Sequence, residues 1–388
     1  MQPSDVVFSK RRWLLNAGGL AFYVLDICTD VALAVQYFEQ KQYVWSGMTV
    51  MFVMAAVVVT QIFSCAWYWE DKDENNQTAL DMSKRKIAVL HVFVLGINMR
   101  YYYLLKEGFS VCWKTKQAAA ANIHHKLFWM ATDLSMLKLF ETFLESAPQL
   151  LLQLYIRGYN EWPLLQIFSL AFSFCNIAWS LVDYWHCLRK SLPNVKDKSS
   201  RLPTAVYLIY KVCTITSIIL SYSLYVTLSI YSTVGITIIW LLGTTWVHLL
   251  QTNFCSSRCL ELLYRAVVGV ILIFSFFNAK GKNTKEVMVV YYVFYSLVCV
   301  TAPLLLAFLK PEMRTAVFLW TVGGLIYGGL LFGLLSLHMY YRFLHPPTSN
   351  ANEENGLSNQ SRDDEADEVD GPRQETITNK RLKTFLQP

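Results

Sequence analysis

Charge is scarce in this chain: only 16% of its 388 residues are Asp, Glu, Lys or Arg, against roughly a quarter in soluble proteins. That shortage excludes an ordinary water-facing surface. A phosphate-cradling loop is missing as well. Gly281-Lys282-Asn283-Thr284 has no glycine at the required upstream spacing, which argues against ATP-driven transport. Asp71, Asp73 and Asn75 begin like a calcium loop, but Asn76 stands at the sixth position where Gly is needed and Met82 at the twelfth where Glu is needed. The nine cysteines are scattered, mostly in apolar stretches. Cys255 and Cys259 lack the His or second Cys pair that a zinc site requires. No convincing Ser/His/Asp or Cys/His motif is present. The chain is therefore expected not to be an enzyme, to need no metal or cofactor, and to bind no nucleic acid. No cleavable leader is expected either. Lys10, Arg11 and Arg12 precede an apolar stretch, but Asp26 and Asp30 interrupt it and no small-residue cleavage site follows.

Apolar sequence is what fills the gap, at 54% of residues. Ten long apolar segments can be read, over 13–37, 44–69, 87–105, 127–157, 162–187, 204–230, 233–251, 262–280, 287–309 and 314–341. Lys and Arg concentrate on cytoplasmic loops. If all ten segments span, the basic stretch 189–201 faces outward, against that rule. If 87–105 and 262–280 dip in and return, the basic stretches 10–12, 84–86, 106–126, 189–201 and 280–285 all fall inside. Those two segments are short and carry Arg100 and Arg265. Non-spanning backbone at membrane depth is tolerated where protein buries it or a wet cavity meets it.

The expected fold is an all-α polytopic membrane protein with eight transmembrane helices and two re-entrant helical segments. They form two pseudo-repeats, with both termini cytosolic. The boundaries follow: a cytosolic N-terminus at 1–12, a first membrane repeat at 13–187, a basic cytosolic linker at 188–203, a second repeat at 204–345 and a cytosolic tail at 346–388. Ten plain spans are the competing arrangement.

Ionisable side chains inside such segments cost roughly 2.5–3.5 kcal/mol each on insertion scales, so they mark candidate functional positions. Asp26 and Asp30 lie one turn apart on the first span. Lys138, Glu141 and Glu145 form one stripe on the 127–157 helix, with Asp133 offset toward the end nearer His124 and His125. Asp183 and His186 sit near the cytosolic end of the fourth span, and Lys211 lies in the fifth. A few ion pairs such as Lys138 with Glu141 would explain part of this as helix registration alone. Acids outnumber bases, however, so a path for something charged or zwitterionic is the alternative. Glu145-Ser146-Ala147-Pro148-Gln149 ends the stripe with a proline and small residues that permit a kink, and Gln153 continues the polar face. Gly323, Gly324, Gly328, Gly329 and Gly333 in the last span suit tight packing, within the molecule or in a homodimer.

The polar tail contains Asp367-Glu368-Val369-Asp370-Gly371. This run resembles an executioner-caspase recognition sequence, with cleavage after Asp370 read through charge-assisted arginine contacts. Residues 346–374 are rich in Asn, Glu, Ser, Asp and Pro, which leaves the segment accessible to a protease. Beyond it, Leu382, Phe385 and Leu386 fall at i, i+3 and i+4 among Lys380, Arg381 and Lys383. That pattern predicts a short amphipathic helix, either an inhibitory plug or a membrane-surface segment.

The stretch from Asp133 to Gln149, Asp-Leu-Ser-Met-Leu-Lys-Leu-Phe-Glu-Thr-Phe-Leu-Glu-Ser-Ala-Pro-Gln, resembles the most recognisable segment of the XK-related family. Asp26-Ile-Cys-Thr-Asp30, Trp179-Ser-Leu-Val-Asp-Tyr184, Leu263-Tyr-Arg265 and Phe276-Phe-Asn278 match as well. The resemblance covers about residues 13–345. It implies eight spans with two partly inserted segments, and ATP-independent phospholipid scrambling that exposes phosphatidylserine at the plasma membrane of apoptotic cells. Carried over by position, Asp26, Asp30, Asp133, Lys138, Glu141, Glu145, Asp183 and Lys211 would line or support the headgroup route. The expected partners are phospholipids including phosphatidylserine, an executioner caspase, and either a single-span chaperone subunit or a second copy of the chain. Two other classes remain open: a secondary transporter of a small charged solute, and a scaffold for a lipid-transfer partner.

One loop gives a direct check on the topology. Asn76-Gln77-Thr78 is a glycosylation sequon that the eight-span arrangement places in the cytosol. Expressed in mammalian cells, the protein is expected to show no glycosidase-sensitive mobility shift from Asn76.

Overall fold

Long apolar runs become long helices because backbone groups in a lipid environment must be paired within the segment. The computed structural model describes residues 8–73, 82–114, 121–157, 164–191, 201–278, 284–309 and 316–344. Among them every regular element is helical. The helices are α1 (Lys10–Glu39), α2 (Tyr43–Asp73), α3 (Lys84–Val92), α4 (Gly96–Phe109), α5 (Ala121–Leu144) and α6 (Ser146–Arg157). Then follow α7 (Leu164–Ser191), α8 (Arg201–Leu228), α9 (Ser232–Leu249), α10 (Arg258–Phe274), α11 (Thr284–Leu309) and α12 (Ala316–Met339). Short π-helical turns, Ser110–Lys114 and Tyr340–Leu344, extend α4 and α12. Serines start three of the helices. Ser9, Ser83 and Ser257 accept from the backbone N–H of Arg12, Lys86 and Leu260, which satisfies donors the first turn leaves open.

Seven of these helices are long and apolar enough to cross a membrane: α1, α2, α7, α8, α9, α11 and α12. The 127–157 segment, expected as one spanning helix, is divided at Glu145 into α5 and α6. Its charges keep it out of the seven. The break is slight, because Glu145 N–H donates to Glu141 O and Gln149 N–H donates to Glu145 O, both at 2.9 Å. Pro148 sits in the first turn of α6, where a missing N–H is tolerated.

The segment 87–105 forms no straight helix. α3 and α4 meet at 116°. Val94 takes a positive φ of 62° at the corner, a costly setting for a β-branched residue. Gly96, just beyond, lies so close to Gln61 and His91 that a Cβ would collide with both. At the matching position in the second half, α10 ends in the extended residue Ser275.

The packing repeats between the two halves. α1 packs on α7 as α8 packs on α12; α1 packs on α2 as α8 on α9; α5 packs on α7 as α11 on α12; and α2 packs on α4 as α9 on α10. The halves join where α6 and α7 meet α8 and where α5 meets α10. Aromatic rings fill that seam. Phe254 stacks on Tyr264 at 4.5 Å between centroids, and Phe140, Phe143 and Trp67 close around Tyr264, Phe274 and Phe254. α9 and α12 instead turn a row of apolar side chains outward, among them Leu242, Leu249, Trp320 and Phe332.

The glycines of α12 divide by face. A Cβ on Gly329 would come within 3.1 Å of the Cys213 carbonyl on α8, and one on Gly333 within 2.8 Å of Thr214. A Cβ on Gly324 or Gly328 would meet no other part of the molecule within 4 Å. The internal-packing reading therefore holds for Gly329 and Gly333. Gly329→Leu is expected to destabilise the protein by about 1–3 kcal/mol through overpacking, whereas Gly324→Leu should leave thermal unfolding in detergent unchanged.

Candidate functional site

Of the charges predicted to lie in spans, Asp26, Asp30, Asp133, Lys138, Glu141, Glu145 and Lys211 are buried and Asp183 is partly exposed, and they sort into one network and three separate clusters. Asp26, on the face of α1 toward α7, has no solvent exposure. It accepts from Ser146 (2.7 Å), Ser173 (3.0 Å) and Asn176 (2.7 Å). One turn along, Asp30 accepts from Ser169 at 2.7 Å, and Ser169 accepts from the Gln153 amide at 2.7 Å. On α5 the Lys138 ammonium lies 3.3 Å from Glu141 and donates to Asn176 Oδ1 at 3.1 Å. It also sits 4.7 Å from the ring centre of Tyr23. Gln149 on α6 donates to Thr49 on α2 at 3.3 Å. Glu145 completes the stripe at the α5–α6 break, fully buried.

Asp26, Asp30, Lys138, Glu141 and Glu145 are thus brought together, as the helical spacing suggests. α7 supplies the polar wall opposite them through Ser169, Ser173 and Asn176. These three escaped the sequence analysis, although their four- and three-residue spacing places them on one helix face. Serine and asparagine in a helix are common, so only the buried acids across from them reveal the role.

The remaining candidates lie elsewhere. Asp133 is 3.4 Å from the Arg100 guanidinium, which also donates to Ser64 Oγ and O and lies 3.9 Å from the Tyr68 ring centre. Asp183 is 2.6 Å from Arg12, whose other nitrogen reaches Cys187 Sγ at 2.7 Å. Lys211 donates to Ser275 Oγ (2.8 Å) and Phe276 O (2.9 Å), at the carbonyl-rich end of α10. Each of these three ties an element terminus or neighbouring helix in place.

Arg265 mirrors Arg100. Its guanidinium donates to Thr252 O at 2.7 Å and pairs with Glu261 at 3.2 Å, while Glu261 accepts from Thr252 Oγ1 and Cys255 N–H. Arg100 therefore fastens α4 to the body of α2, and Arg265 fastens α10 to the turn just beyond α9. Sequence Asp367-Glu368-Val369-Asp370-Gly371, the tail residues Leu382, Phe385 and Leu386, and the Asn76 sequon lie outside the described residues.

A bundle of long apolar helices around a buried, mainly acidic polar seam defines a multi-pass membrane protein. Comparison with known sequences narrows the class. The profile described as "XK-related protein" matches residues 14–346, and the chain belongs to the XK-related family. It is 49% identical over 390 residues to "XK-related protein 9" of Tetraodon nigroviridis, covering 98% of this chain and 99% of that protein. It is 30% identical over 346 residues to "XK-related protein 8" of Pan troglodytes, covering 87% and 84% respectively.

A buried pair costs most when one partner is removed. Arg100→Leu leaves Asp133 without its guanidinium and is expected to lose about 3–5 kcal/mol. Arg100→Leu combined with Asp133→Leu should recover part of that loss, as read by thermal unfolding of the detergent-solubilised protein.

Proposed function

We propose that this protein is an ATP-independent phospholipid scramblase, switched on when an executioner caspase cuts after Asp370. The observation that carries the reading is the polar seam between α1, α5 and α7. A zwitterionic headgroup crossing the bilayer needs hydrogen-bonding and charged groups at depths where lipid tails offer none. The seam provides both signs of charge, with acids in excess, along the middle of three packed helices. Family membership supports the same reading. Moving phospholipid in both directions exposes phosphatidylserine on the outer leaflet, so the site of action is the plasma membrane of dying cells. No covalent chemistry is involved, and the protein acts as a passive catalyst of transbilayer movement rather than as an enzyme.

In this reading α5 and α6 together make an eighth span, and α3–α4 and α10 are re-entrant segments at equivalent places in two repeats. Both termini and the basic stretch 189–201 are cytosolic. The bend at Val94 and the extended end of α10 favour this arrangement over ten plain spans. The switch is the tail. Leu382, Phe385 and Leu386 form the apolar face of a plug held at high local concentration by its linker. Cutting at Asp370 removes the tether, and so short a helix then dissociates.

Purified protein in liposomes, with a fluorescent lipid reporting exchange between leaflets, tests the proposal. Exchange is expected only after caspase treatment, and Asp370→Ala should remain silent. Replacing Leu382, Phe385 and Leu386 together by Ser should give exchange without cleavage. Clean cleavage with no exchange would overturn the scramblase reading and favour a transporter of a small charged solute or a scaffold for a lipid-transfer partner. A triple variant that stays silent until cut would refute the plug.

A further inference from the structure

Glu145 has no solvent exposure, and neither of its carboxyl oxygens has a hydrogen-bond partner. The next residue, Ser146, bonds Asp26 on α1, Asp30 lies one turn along that helix, and the Lys138–Glu141 pair occupies the preceding turns of α5; Tyr23 on α1 and these four are the charged or titratable groups that interact with Glu145. The groups that α7 and α2 turn to the same seam, Ser169, Ser173, Asn176 and Thr49, do not titrate. Lys138 supplies the only positive charge among these groups, and it is already engaged by Glu141 and Asn176. Asp26 is satisfied by three donors. Asp30 is satisfied at one oxygen and unpartnered at the other.

Two fully buried glutamines point to what is missing. Gln149 and Gln153, one and two turns beyond Glu145, both leave their side-chain carbonyl oxygens unpartnered. The orientation of Gln153 follows from its neighbours. Ser169 gives its hydroxyl proton to Asp30 and must therefore accept from the Gln153 NH2, which leaves the Gln153 oxygen free. Every unpartnered atom on Asp30, Glu141, Glu145, Gln149 and Gln153 is an acceptor. The seam lacks donors. A buried carboxylate without a counter-charge takes up a proton in preference to remaining ionised. Among the described residues no three His, Cys, Asp or Glu side chains converge as metal ligands.

We propose that Glu145 is a proton-binding site: it is protonated while α1, α5 and α7 are packed, its hydroxyl supplies the missing donor, and it ionises when the seam opens to water. Opening releases one proton from the carboxyl to bulk water and leaves a carboxylate. The packed state holds the extra proton, so it is favoured as pH falls and loses that advantage as pH rises. Glu145→Gln mimics the protonated form and removes the coupling.

Infrared spectroscopy of the purified full-length protein decides the matter. At neutral pH the wild type is expected to show a protonated-carboxyl C=O band, sensitive to deuteration, that Glu145→Gln lacks and Asp30→Asn keeps. Spectra that Glu145→Gln leaves unchanged would overturn the proposal. So would a wild-type band lost on adding sodium, potassium, calcium or magnesium chloride at constant pH, since a metal cation would then occupy the oxygens. Glutamate-selective 13C labelling repeats the test without a substitution; a band that fails to shift refutes a glutamate as the carrier. A functional consequence rests on the scramblase reading. In caspase-cut protein, lipid exchange should accelerate with rising pH in the wild type and stay flat in Glu145→Gln. Absence of any exchange would fault the scramblase reading while the infrared result stood, and equal pH profiles would refute the coupling.

Discussion

The carboxylate of Asp26 organises the first half of the molecule. A buried polar group in an apolar bundle demands hydrogen-bond partners, and Asp26 accepts from three, Ser146, Ser173 and Asn176. Those donors belong to α6 and α7, so one side chain on α1 fixes the position of both. Asn176 passes the constraint onward by accepting from Lys138, which pairs with Glu141. Asp30, Ser169 and Gln153 repeat the link one turn away. Helices in lipid gain little from burying apolar surface against one another, and interhelical hydrogen bonds and close packing hold them instead. The seam is therefore both scaffold and candidate path, and a group that passes along it must compete with the bonds that keep the helices together.

That dual role explains why the strongest side-chain anchors lie outside the seam. Arg100 and Arg265 each grip a backbone carbonyl on a neighbouring element, Ser64 within α2 and Thr252 just beyond the end of α9. Each has its own acid, Asp133 and Glu261. Arg12 and Asp183 close the α1–α7 end in the same manner. The second half carries no counterpart of the acidic seam at α8. Lys211 stands there, spent on the end of α10. The α8–α12 contact is made of small residues instead. The two halves thus share a packing pattern but differ in polarity, and among the described residues the acid-rich seam lies in the first half alone.

Much of this was readable before any coordinates. Apolar run length locates the long helices, and three- and four-residue spacing groups Lys138, Glu141 and Glu145 and pairs Asp26 with Asp30. Spacing along one helix says nothing about the neighbour. Asp133, Asp183 and Lys211, expected to line or support the same route, each meet a partner on another element: Arg100, Arg12 and the α10 terminus. Ser169, Ser173 and Asn176 were not legible, because their significance depends on the acids opposite. A return within 87–105 was expected, but the place of its corner was hidden for another reason. Its strained residue is Val94, a β-branched side chain that ordinarily signals extended or helical backbone, and the enabling glycine follows two positions later.

The central claim is that headgroups move along the seam between α1, α5 and α7. The most direct measurement is lipid exchange by caspase-cut protein in liposomes when Lys138→Met and Glu141→Leu are combined. This replaces the buried pair with apolar groups of similar volume, which bundles tolerate, and thermal unfolding would verify the fold. The account predicts that exchange falls at least about tenfold, a barrier increase of roughly 1.4 kcal/mol. An unchanged rate in a well-folded variant would show that lipids take another way across.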